Sequence, residues 1–172
     1  LIFYEIIILL YSMQQYFFEL NSYFFILYKN KNNLNLFDFL NHYKMKTWND
    51  FLNNINVKND LDDIYKFIDT QEEIYAPLKV FPEKHNLFKC FELTPFDKMR
   101  VVLIGMDPYI NEIDDICQAQ GLCFSVPDNF PFPPSLKNIF KELVSDIGCE
   151  YPTSGNLTKW GKQGVLLLNR SL

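Results

Sequence analysis

The chain has 172 residues, 48% hydrophobic and 17% aromatic, with 16 basic against 21 acidic side chains. That length bounds the fold to one domain, or one domain with an extension, large enough to bury roughly 70% of its unfolded surface. A charged fraction of 22% with abundant Phe and Tyr excludes a disordered or collagen-like protein, and a net charge of −5 excludes coating of nucleic acid by bulk charge, though not a local basic groove.

The aromatic surplus is uneven: residues 1–44 hold 13 of the 29 aromatics. This apolar leader reads poorly as a membrane span, because Glu5, Gln14, Gln15 and Glu19 interrupt it where a spanning helix needs ~20 apolar residues. It lacks the basic start and small-residue cleavage site of a secretory signal. The expectation is an extension outside the fold, with Met45 as a natural start and residues 45–172 as the domain. Cys90, Cys117, Cys123 and Cys149 form no CxxC pair and have no neighbouring His, so free thiols in a reducing compartment are expected. With His42 and His85 as the only histidines, a His-based metal cluster is not expected.

From Met45 onward the pattern becomes regular. Thr47 is placed to cap a helix carrying Trp48, Phe51, Leu52 and Ile55. Leu61, Ile64, Tyr65 and Ile68 follow at helical spacing, and Pro77, Pro82 and Pro95 then break the chain into a loop-rich connection. Arg100 to Ile104 reads as a buried strand ending at Gly105. Ser135 to Ile147 is the clearest helix, with apolar residues at 136, 139, 140, 143, 144 and 147, Pro134 ahead of its cap and Gly148 behind. Gly164 to Leu168 reads as a second buried strand, so strand, helix, strand predicts a crossover in a parallel sheet. Each strand runs directly into a polar residue, Asp107 after the first and Asn169 after the second. Ligands of open α/β sheets bind outside the carboxyl ends of strands, so the two side chains are candidates for one pocket, with simple turn caps as the alternative.

Four blocks carry a specific signal: Gly105-Met106-Asp107-Pro108-Tyr109; Gly121-Leu122-Cys123-Phe124-Ser125-Val126; Pro133-Pro134-Ser135-Leu136; and Trp160 followed by Gln163 to Asn169. In this order and spacing the sequence resembles the family 1 uracil-DNA glycosylases, over roughly residues 46–172. Weaker echoes are Trp48 to Leu52 and Val80-Phe81-Pro82 with Leu87-Phe88. The resemblance implies an α/β three-layer sandwich, a central parallel sheet flanked by helices, incomplete at the C-terminus. It implies hydrolysis of the N-glycosidic bond of a flipped-out uracil in DNA, as in base-excision repair, by a monomer without metal or cofactor, on uracil-containing DNA and not at a membrane.

The implied roles fit the residue types. Breaking the bond between deoxyribose and uracil develops positive charge on the sugar, and the resemblance gives Asp107 the task of stabilising it and orienting water. Phe124 would stack on the flipped base, and the Asn169 amide would read one edge of uracil. Tyr109 would fill the space that thymine's methyl needs, and Gly105 and Met106 would line the substrate through their backbone. Pro133, Pro134 and Ser135 would meet a DNA phosphate at a helix start. Taken singly, Phe124 also reads as core packing, Tyr109 as a turn aromatic and Ser135 as an N-cap. Lys137, Lys141, Lys159 and Lys162 read as solvated helix faces.

The chain departs from the family in three places. Met106 and Ile110 stand where Gln and His are usual. The loop between Tyr109 and Gln118 is longer and acidic, with Glu112, Asp114 and Asp115, and Gln120 stands where a His is common. The family's His-Pro-Ser-Pro loop does not appear before Leu172. The reading therefore expects a fragment of a longer product, with little glycosylase activity of its own. A non-catalytic DNA-binding or replication-accessory module on the same fold, or an inactive fragment, is the alternative. An intracellular setting, in nucleus, mitochondrion or viral replication site rather than secretion, goes with the repair reading.

Overall fold

The computed structural model describes residues 25–28, 46–53, 55–77 and 79–170. Apart from residues 25–28, the 1–44 leader and its expected place outside the fold lie outside the described residues. The elements in chain order are β1 (Phe25–Tyr28), α1 (Trp48–Leu52), α2 (Ile55–Ile74), a 3-10 turn (Lys84–Asn86), α3 (Lys89–Leu93) and a second 3-10 turn (Phe96–Lys98). There follow β2 (Val101–Gly105), β3 (Glu112–Ile113), β4 (Ile116–Cys117), α4 (Pro134–Ile147), α5 (Thr158–Lys162) and β5 (Val165–Asn169).

The sheet runs β1-β2-β5. β2 and β5 are parallel, in register from Val101↔Val165 to Gly105↔Asn169, while β1 lies antiparallel on the other side of β2. Val101, Val102, Leu103, Val165, Leu166 and Leu167 are all buried, the near-continuous apolar run that a strand covered on both faces requires. α4 supplies Leu136, Ile139, Phe140 and Leu143 to that core, all on its i, i+3, i+4, i+7 stripe. Gly148 ends it in the left-handed conformation (φ 65°), and its N–H donates to the Val144 carbonyl.

Thr47 caps α1 as its sequence signalled, and the capping box is completed by Asp50. Trp48 then packs against Phe51, Phe91 and Phe96, and its indole N–H donates to the Thr94 carbonyl at 2.6 Å. Thr94, fully buried, donates in turn to the Val165 carbonyl. The amino-terminal helices are thereby joined to β5.

Three details differ from the sequence reading. Ile55, expected on the helix that Thr47 caps, opens α2 instead. Pro134 is the first residue of α4, with Pro133 as its N-cap, so Ser135 sits inside the helix rather than capping it. The physical reason is that proline's fixed φ suits the first helical position, where its missing N–H costs nothing. The acidic loop between Tyr109 and Gln118 is a β3–β4 hairpin, pairing Glu112↔Cys117 and Ile113↔Ile116 around Asp114 and Asp115. Among the described residues, no helix is long and apolar enough to cross a membrane.

A candidate active site at the ends of two parallel strands

β2 and β5 deliver Gly105 and Asn169 side by side as register partners. The chain leaves both strands there, and the Arg170 N–H donates back to the Gly105 carbonyl at 2.8 Å, which holds the two ends together. A Cβ on Gly105 would lie 2.7 Å from Asn169 Oδ1, 2.8 Å from Cys123 Cβ and 3.5 Å from Phe124 Cε2. The first two distances are too short for any real Cβ, so glycine is what lets the Asn169 carboxamide and Cys123 approach that backbone, with the Phe124 ring in ordinary contact beside them.

The loop carrying Phe124 is fixed from beneath. Cys123 donates through its N–H to the Leu167 carbonyl and through its thiol to the Leu103 carbonyl, at 3.2 and 3.4 Å, and is buried. Burial pushes this thiol well above its ordinary range, so it remains a neutral donor. Phe124 itself takes a left-handed backbone (φ 64°), which turns its ring toward Gly105. Ser125, fully buried, accepts from the Leu157 N–H and donates to Gln120 Oε1, both at 3.0 Å. The Val126 N–H continues the anchoring to the Gly155 carbonyl.

Asp107 lies two residues past the end of β2 and is exposed, with half-buried Met106 and Pro108 on either side. Tyr109, half-buried, places its hydroxyl 2.9 Å from Ser135 Oγ at the start of α4. Burial raises the phenol pKa and the Ser135 contact partly offsets this, so the hydroxyl keeps its proton. Pro133 is buried at the helix cap and Pro134 exposed beside it. Ile110, directly after Tyr109, is 75% exposed.

Gly105, Phe124 and Asn169 thus meet at one point, and Tyr109 with Ser135 form a second, hydrogen-bonded pair. The candidate residues are legible in the sequence by type and order, whereas the supports beneath them are not. Cys123 is legible only as a free thiol, and the one signal of the Gln120–Ser125–Leu157 chain is a serine inside an apolar block, a small polar residue that burial obliges to find partners. Among the described residues, no group of three or more His, Cys, Asp or Glu side chains is disposed to hold a metal ion.

No protein-family model matches the chain. It is 56% identical over 98 residues to the uracil-DNA glycosylase of Bacteroides thetaiotaomicron, a stretch covering 57% of this chain and 43% of the relative. Against the uracil-DNA glycosylase of Campylobacter hominis it is 42% identical over 132 residues, covering 70% of this chain and 54% of the relative. Its fold is similar to the crystal structure of mimivirus uracil-DNA glycosylase, with a TM-score of 0.51 and 30% identity, covering 77% of this chain and 44% of that one. The chain spans about half the length of the curated relatives it matches.

Proposed function

Because the chain belongs, over the stretch it shares with these relatives, to the uracil-DNA glycosylase family, we propose that the protein hydrolyses the bond between uracil and deoxyribose in DNA, leaving an abasic site. The observation that carries the reading is the junction of Gly105, Asn169 and Phe124, where a side-chain amide and an aromatic ring converge on a bare backbone beyond two strand ends. A planar base fits such a junction: the ring covers one face and the amide offers both a donor and an acceptor to its edge.

In this reading the target nucleotide leaves the duplex stack and its base stacks on the open face of the Phe124 ring, beside the Gly105–Met106 backbone. Asn169 pairs with the edge that distinguishes uracil from cytosine. Tyr109 occupies the space that a 5-methyl group would need. As the glycosidic bond lengthens, positive charge gathers on the sugar, and the Asp107 carboxylate stabilises it while holding water for attack. The start of α4, with Pro133, Pro134 and Ser135, faces the DNA phosphates. Residues 45–172 supply this part of the domain, acting as a monomer on uracil-containing DNA inside a cell or at a viral replication site.

The test is uracil release from a deoxyuridine-containing oligonucleotide by the full-length natural protein. Release that falls by ~10²-fold or more in Asp107→Asn supports the assignment. Absent release, or release that Asp107→Asn leaves intact, overturns it.

A further inference from the structure

We infer, resting on the functional reading above, that Ser135 is a positioning residue for Tyr109: its hydroxyl tethers the phenol and so sets discrimination between uracil and 5-substituted pyrimidines. The two oxygens are 2.9 Å apart although the residues are separated by 26 positions in the chain. Tyr109 sits on the loop that follows β2, between the half-buried Pro108 and the exposed Ile110. Ser135 is the second residue of α4, a 14-residue helix whose Leu136, Ile139 and Phe140 are locked in the core. The hydrogen bond therefore joins a loop aromatic to one of the best-anchored elements of the fold.

A tyrosine ring turns about two bonds, so packing along one face leaves it freedom to swing at its far end. A hydrogen bond at the hydroxyl removes that freedom. Burial keeps the phenol neutral, so it can donate to Ser135 Oγ while the serine proton remains available to another acceptor. Excluding a methyl group depends on where a ring edge stands to within a fraction of an ångström, because repulsion rises steeply over that range. A ring held at both ends excludes the methyl; a ring held at one end yields to it. Ser135 acts through Tyr109 in this role and needs no contact with the base.

The experiment measures initial rates of base release by the full-length natural protein from oligonucleotides carrying deoxyuridine, 5-fluorodeoxyuridine or thymidine. It compares the unsubstituted protein with Ser135→Ala, Ser135→Thr, Tyr109→Phe and the Ser135→Ala/Tyr109→Phe pair. Loss of the tether is expected to raise the rate on thymidine relative to deoxyuridine by about 3- to 10-fold in Ser135→Ala, while 5-fluorodeoxyuridine, whose fluorine is little larger than hydrogen, serves as the small-substituent control and moves far less. Tyr109→Phe should do the same, the pair should do no more than either alone, and Ser135→Thr should restore discrimination. A serine that only grips phosphate would lower all three rates together, and an unchanged ratio overturns the inference. In parallel, the fluorine resonance of 3-fluorotyrosine at position 109 should shift or broaden in Ser135→Ala without DNA; an unaltered resonance also overturns it. Failure of the unsubstituted protein to release uracil brings down the functional reading, and the resonance then decides the tether alone.

Discussion

Gly105 and Asn169 are opposite one another at the last rung of the β2–β5 ladder, and Asn169 Oδ1 lies 2.7 Å from where a Cβ on Gly105 would stand. The missing side chain is therefore a requirement of the site. Gly105→Ala should force the carboxamide and the Cys123 backbone apart, since 2.8 Å to Cys123 Cβ leaves no room on that side either. Overpacking of this kind costs about 1–3 kcal/mol. The expected outcome is a stability loss of that size in urea, together with a far larger loss of uracil release than stability alone produces. A variant that keeps both would show that the junction has slack which the packing denies.

Ser125 is the second point where the pocket depends on one atom. Its buried hydroxyl accepts from the Leu157 N–H and donates to Gln120. Ser125→Ala leaves that N–H without its acceptor in a site closed to solvent, at a cost of about 1–3 kcal/mol. Because Phe124, next in the chain, stands in a left-handed conformation that few side chains adopt unaided, the same change should loosen its ring. Urea denaturation reads the first effect, and hydrogen exchange at Leu157 reads it locally. Unchanged exchange at Leu157 would remove Ser125 from this role.

Stability should fall on the alkaline side. Burial pushes the Cys90 thiol up to about 12 from an ordinary 9.0, and drives Cys123 in the same direction. In the unfolded chain both thiols ionise from about pH 9, while the folded state keeps its protons. The folded state therefore holds more protons across the window from about pH 9 to pH 12, and its stability declines as pH rises through it. Tyr109, also raised by burial, adds to the decline above its ordinary 10.0. Chemical denaturation at pH 8, 9.5 and 10.5 checks the slope. Cys90→Ala with Cys123→Ala should flatten it, at the price of a cavity.

The elements that could be read along the chain were those whose signal is local. Val101 to Gly105 and Val165 to Leu168 are continuous apolar runs, and α4 repeats its apolar stripe over four turns between a proline and a glycine. The candidate residues were visible as types in a given order, because Asp107 and Asn169 follow directly on those runs. Their geometry was not. Nothing near Tyr109 in the chain announces Ser135, and nothing near Ser125 announces Leu157; such pairs exist only once the sheet has brought distant segments together. The hairpin is not legible in the sequence because two-residue strands are too short to show alternation, and Asp114-Asp115 lacks the glycine that marks such a turn.

That turn offers a prediction of opposite sign. Asp114 and Asp115 both have positive φ, 52° and 61°, the pattern of a type I′ turn between Ile113 and Ile116. A non-glycine residue in this conformation costs about 1–2 kcal/mol, less for aspartate, against the 0.5–1 kcal/mol of extra chain entropy that glycine loses. Asp115 also faces Lys79, but at 4.0 Å and with its side chain 96% exposed. An ion pair so open to solvent contributes about 0–1 kcal/mol at most. Lys79 keeps its shorter contact to Glu112, at 2.6 Å, when Asp115 is removed. Asp115→Gly should therefore leave stability unchanged or raise it by a few tenths of a kcal/mol, up to about 0.5. It also removes a negative charge from the loop nearest Tyr109, so binding to DNA should tighten and its salt dependence should steepen slightly. A urea midpoint that drops while DNA affinity stays level would show that Asp115 holds the hairpin through Lys79, and that this loop points away from the nucleic acid.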